Sequence, residues 1–162
     1  MGVFYSVAPL DDSLAACFRE VGVELPQNRG YSRNPTPQEA RDVCLALTEF
    51  NVEAFAPPEC AWRIVIMGRK DSPAASEIDY ETEPWTTLNV HDFDGNETTP
   101  HTIWFEKGWP ALILRIVHAL TEKCGTLIII PDTGCKPLAV RAADDVRELY
   151  DSWEHALGCP FW

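Results

Sequence analysis

The stretch from about Trp109 to Lys123 constrains the fold more than any other. Leu112, Ile113, Ile116, Val117, Ala119 and Leu120 recur at helical spacing and cover much of the circumference. A helix apolar on most sides has to be enclosed by other elements, so this segment predicts the central helix of the fold, with Gly125 as its stop.

The elements available to enclose it can be read on either side. Residues 2–7 read as a strand. Leu14, Cys17, Phe18 and Val21 then give a helical stripe closed by Gly22. After a loop from Glu24 to Pro35, Thr36 as N-cap, Pro37 at the first helical position and Glu39 form a capping box, with Ala40, Val43, Cys44 and Leu47 as the buried stripe. Pro57-Pro58 bars any regular element from crossing that point. Trp62–Met67, Glu77–Tyr80, Thr86–His91 and Thr102–Phe105 are strand candidates, with Asp94-Gly95-Asn96 a turn between the last two. Beyond the central helix, Leu127–Ile130 and Leu138–Val140 predict a hairpin about Asp132-Thr133-Gly134. A last helix spans about Ala142–Leu157, with Val146, Leu149, Tyr150 and Trp153 on one face. Strands in runs with intervening helices predict one α+β domain over residues 1–162. Its sheet should be mostly antiparallel, of about five to seven strands, packed against about four helices.

A chain of 162 residues buries roughly two-thirds of its unfolded surface and needs neither disulfide nor metal for stability. No run approaches the roughly 18 apolar residues of a membrane span, and the N-terminus lacks the features of a secretory signal. Met1-Gly2 with Ser6 fits the myristoylation pattern, but Val3-Phe4-Tyr5 reads more simply as strand. The six cysteines, at irregular gaps and without a C-x-x-C pair, read as reduced structural thiols of a cytosolic protein. Cys17 and Cys44 fall on apolar helix faces.

Charge is unevenly placed. Between Lys70 and Lys107 there is no Lys or Arg, while Asp71, Glu77, Asp79, Glu81, Glu83, Asp92, Asp94, Glu97 and Glu106 supply nine of the −12 net charges. Such a surface repels phosphate backbones and anionic membranes and suits a basic protein partner. Trp85, Trp104 and Trp109 are interleaved with the acids, as aromatic anchors in a ring of charge would be. The same letters also describe a solvated acidic face whose tryptophans belong to the core.

Catalytic patterns are sparse. His91, Asp92, Asp94 and His101 could ligate a metal in a hydrolase, though their spacing matches no established pattern. Asp92 to Glu97 begins like a calcium loop, but its glycine falls at position four and Ile103 stands where the closing Glu belongs. Asp132-Thr133-Gly134 matches the aspartic-protease triplet but reads as a turn. His118, on the apolar helix, reads as a satisfied core histidine, and the six residues to Cys124 place the two on opposite sides of it.

Three stretches carry a resemblance: Ser32-Arg33-Asn34-Pro35-Thr36-Pro37 before a helix, Phe105-Glu106-Lys107-Gly108 before the central helix, and Cys124-Gly125-Thr126-Leu127 running into Pro131-Asp132-Thr133-Gly134. In these the chain resembles small acidic bacterial immunity proteins encoded beside polymorphic toxins. The resemblance implies a non-catalytic protein that occludes a cognate toxin in the producing cell, and it carries over no binding residue. The expected partner-binding set, read from the acidic stretch, is Asp79, Glu81, Glu83, Trp85, Asp92, Asp94, Glu97 and Trp104, with no cofactor and no metal. The alternatives are the His91/Asp92/Asp94/His101 hydrolase and an acidic mimic of nucleic acid.

Overall fold

The central helix and its surroundings are visible in a computed structural model, which describes residues 4–27, 30–58, 61–68, 85–108 and 110–156. The element order is β1 (Phe4–Pro9), α1 (Asp12–Glu20), α2 (Pro37–Leu45), β2 (Phe50–Phe55), β3 (Arg63–Gly68), β4 (Trp85–Val90), β5 (Ile103–Gly108), α3 (Pro110–Cys124), β6 (Leu127–Pro131), β7 (Leu138–Val140) and α4 (Val146–Ala156). The strands form one sheet in the order β2-β3-β4-β5-β1-β6-β7, and every adjacent pair is antiparallel. The architecture is α+β, as the alternation of strand runs and helices predicts.

Insertion of β1 between β5 and β6 explains why α3 is so apolar. Both β5 and β6 run antiparallel to β1, so they are parallel to each other, and α3 is the crossover between them. It lies across the sheet with α2 and α4 packed against it, and it buries Leu112, Ile113, Leu114, Ile116, Val117, Leu120, Thr121 and Cys124. Only Arg115, Ala119, Glu122 and Lys123 are exposed along it. Beneath it the sheet contributes Tyr5, Val7, Ile64, Ile66, Leu88, Ile103, Phe105, Leu127 and Ile129, alternate residues of their strands.

The capping box of α2 forms as its sequence predicts: Thr36 Oγ1 accepts from the Glu39 amide at 3.1 Å and Glu39 Oε2 accepts from the Thr36 amide at 3.0 Å. Ala40, Cys44 and Leu47 are buried. α4 packs Val146, Leu149, Tyr150 and Trp153 inward, as its stripe predicts. Its start falls four residues later than Ala142, because Asp145 accepts from the Glu148 amide at 3.0 Å and caps the helix there.

Two expectations need correcting. β2 has no counterpart in the sequence reading, although Phe50, Val52 and Ala54 alternate with Asn51 and Glu53. That pattern is only six residues long and sits directly before Pro57-Pro58, whose peptide bond is cis. Cys17 is exposed rather than buried, because α1 buries none of its residues and covers Leu14 and Phe18 only in part. The expected strand Glu77–Tyr80 lies outside the described residues, as do Cys60, Cys159 and the C-terminal Phe161-Trp162. No helix among the described residues is long and apolar enough to cross a membrane.

Candidate partner-binding surface

Helices α2, α3 and α4 occupy one face of the sheet. The register shows what the other face presents across β2, β3, β4, β5 and β1. Met67 pairs with Trp85, Val65 with Thr87, Arg63 with Asn89, Asn89 with Trp104, Ser6 with Trp104 and Phe4 with Glu106. Paired residues project to the same side, so these side chains form rows across the face that no helix among the described residues covers, uncovered in that sense. Among the described residues six large hydrophobic side chains are exposed, and three of them, Phe4 (39%), Met67 (38%) and Trp85 (36%), lie on this face. Val65, Trp104 and Phe55 beside them are half-buried. Trp85 and Trp104, both expected from sequence as partner-binding residues, therefore share one surface. Scattered exposed hydrophobics are ordinary, so it is their gathering on one sheet face that makes this face the candidate surface.

The expected acids divide. Asp79, Glu81 and Glu83 lie outside the described residues. Asp92 and Asp94 are exposed on the β4–β5 loop, at the end of β4 opposite to Trp85, about 17 Å away along a six-residue strand. In that loop Asp92 takes a positive φ of 46°, a conformation aspartate tolerates better than most residues. Asp94 Oδ1 accepts from the Asn96 amide at 2.9 Å, which, with His101 nearby, holds its carboxyl below the usual range.

Glu97 is engaged within the fold. Its carboxylate takes both terminal nitrogens of Arg41, one at 2.8 Å, and accepts from Trp62 Nε1 at 3.1 Å. These bonds hold its pKa down, the Arg41 pair contributing most. The Arg41 guanidinium also lies 5.7 Å from the Trp62 ring, and Trp62 faces Phe93. With Gln38 N donating to Glu97 O at 3.0 Å and His101 N to Pro35 O at 3.0 Å, this network docks the β4–β5 loop onto α2.

The four candidate metal ligands separate into two pairs. His91 Nε2 lies 3.1 Å from Asp92 Oδ2, and His101 Nε2 lies 3.2 Å from Asp94 Oδ1. His101 Nδ1 is 2.7 Å from the Thr99 carbonyl, so both its ring nitrogens face oxygen, whereas a ligating imidazole needs a free lone pair. Among the described residues no three His, Cys, Asp or Glu side chains come together as a metal site. His118 donates from Nε2 to the Asp144 carbonyl at 3.0 Å, the satisfied histidine its setting predicts.

A second cluster joins two of the stretches quoted for the immunity resemblance. Arg33 forks onto Glu39 at 2.8 and 2.7 Å, its amide donates to the Cys124 carbonyl at 2.9 Å, and its guanidinium lies 3.7 Å from Cys124 Sγ. The Arg33 hydrogen bonds hold Glu39 down at about 2, while burial pushes the Cys124 thiol up to about 11. A thiol so rarely ionised at neutral pH is structural.

Sequence reasoning missed Phe4, Met67 and the placement of Glu106. The period-2 pattern of β5, with Ile103 and Phe105 buried, already put Trp104 and Glu106 on one side. Nothing local could show that β1 brings Phe4 beside them. No protein-family model, curated protein or solved structure matches the chain.

Proposed function

We propose that the chain is a non-catalytic, cytosolic binding protein of the immunity type, neutralising a basic toxin through an acidic, tryptophan-bearing surface. The observation that carries this reading is that Trp85, exposed, and Trp104, half-buried, lie on the sheet face that no described helix covers. Glu106 stands between them in the register, and the base-free acidic stretch enters at Trp85. Aromatic anchors with surrounding carboxylates favour a cationic partner, and the net charge of −12 speeds its approach. The acids at Asp92 and Asp94 act at longer range, as part of the field rather than as contacts.

The test is titration against a basic toxin domain, taken from the adjacent reading frame where that frame encodes one, by calorimetry at low and high salt. Tight binding that weakens as salt rises is expected. Joint replacement of Asp79, Glu81, Glu83 and Asp94 by Lys should lower affinity by at least about tenfold, since each rim charge contributes modestly and the four act together. Unchanged affinity in that variant sinks the reading.

A further inference from the structure

On the uncovered face, β1 and β5 place three side chains together. Trp104 and Glu106 project from the same side of β5, and Phe4 stands directly across from Glu106 on β1. The rings of Phe4 and Trp104 are 5.4 Å apart and tilted at 56°, so they meet at an angle rather than stacking flat. Glu106 is half-exposed, and its carboxylate has no hydrogen-bond or ion-pair partner among the described residues. Among the described residues a cation on this face, Arg63, lies over the Phe55 ring at 5.3 Å, and its row holds Asn89 and Trp104, with Glu106 in the next. Only β4 lies between Arg63 and β5, a spacing of about 10 Å, and the contact with Phe55 on β2 turns the guanidinium away from Glu106.

We propose that Phe4, Trp104 and Glu106 form a seat for an arginine side chain of the protein partner. This rests on the reading of the chain as a binder of a basic protein, and it assigns the place and the contacting group. Two aromatic faces and a carboxylate without a partner among the described residues all attract a cation. Arginine fits better than lysine because a planar guanidinium lies over a ring while its fork reaches a carboxylate, whereas an ammonium is a point charge that holds its water tightly. Arg63 over Phe55 shows the same stacking within this face.

The experiment is a titration of the ¹⁵N-labelled full chain with blocked hexa-arginine and hexa-lysine peptides, followed by amide and indole chemical shifts. Saturable shifts at Phe4, Trp104 and Glu106 are expected, with hexa-lysine weaker by about threefold or more. Glu106→Gln should weaken hexa-arginine binding about fivefold with an unchanged melting temperature. Trp104→Leu should do likewise, with circular dichroism as its folding control. Shifts confined to residues 71–97 overturn the seat while leaving the basic-partner reading in place. Absence of saturable binding by either peptide overturns both.

Discussion

A Cβ atom built on Gly125 would stand 2.2 Å from the carbonyl oxygen of Tyr31, and Gly125 itself has φ of +77°. The end of α3 is thus pressed against the backbone of the loop that leads to α2. Backbone oxygen cannot swing aside as a flexible side-chain tip can. Gly125→Ala should therefore destabilise by about 2–4 kcal/mol, the sum of a left-handed backbone and a steric conflict. Gly22 has a similar φ of +81° with nothing near its missing Cβ, so Gly22→Ala should cost only about 1 kcal/mol. Urea unfolding of both variants measures the difference; equal midpoints would show that the loop yields.

Arg33 and Glu39 supply the next prediction. Glu39 has its pKa lowered from 4.5 to about 2, so its contribution is fully present above about pH 5 and disappears as pH falls towards 2. Glu39→Gln keeps an acceptor for the Thr36 amide and loses the ion pair. It should cost about 1–2 kcal/mol at neutral pH, and the gap to wild type should close on acidification. Melting temperatures between pH 7 and pH 2 test this, and a gap constant across that range contradicts it.

Glu97→Ala removes the acceptor shared by Arg41 and the buried Trp62. A loss of stability of about 1–3 kcal/mol is expected, moderated because both charged groups are about 30% exposed. Its effect on partner affinity should be below about twofold, unlike that of the other acids in the stretch, because its carboxylate is already occupied. Calorimetry on the folded variant separates the two.

Tyr5 predicts a change of opposite sign. Its ring is fully buried and packs edge-on against Trp153 at 5.6 Å, but its hydroxyl has no hydrogen-bond partner among the described residues. Burial pushes its ionisation far up, so it stays neutral. Tyr5→Phe should leave stability unchanged or raise it by up to about 1 kcal/mol, since a buried polar group without a partner is a net cost. A loss above about 1 kcal/mol would point to an ordered water beneath β1.

Much of this fold was legible before any coordinates. The central helix, the capping box at Thr36 and Glu39, the turn at Asp94-Gly95-Asn96 and the stripe of α4 are local patterns, set by helical spacing, capping chemistry and turn preferences within a few residues. β2 was less so, because a six-residue alternation running into two prolines competes with a loop reading. α1 misled for a related reason: a stripe shows which face can be buried, but only packing shows whether it is.

The candidate surface divides along the same line. The sequence alone determined that the chain is acidic, that the acids cluster without bases, and that tryptophans lie among them, since these are facts of composition and order. Tertiary structure decided which of them act together. It took Glu97 into the fold, set Asp92 and Asp94 at the far end of β4, and joined Trp104 and Glu106 to Phe4 from 100 and 102 positions away. The physical reason is that strand pairing is non-local: the neighbours of a side chain on a sheet belong to other strands, and only the register says which strands those are.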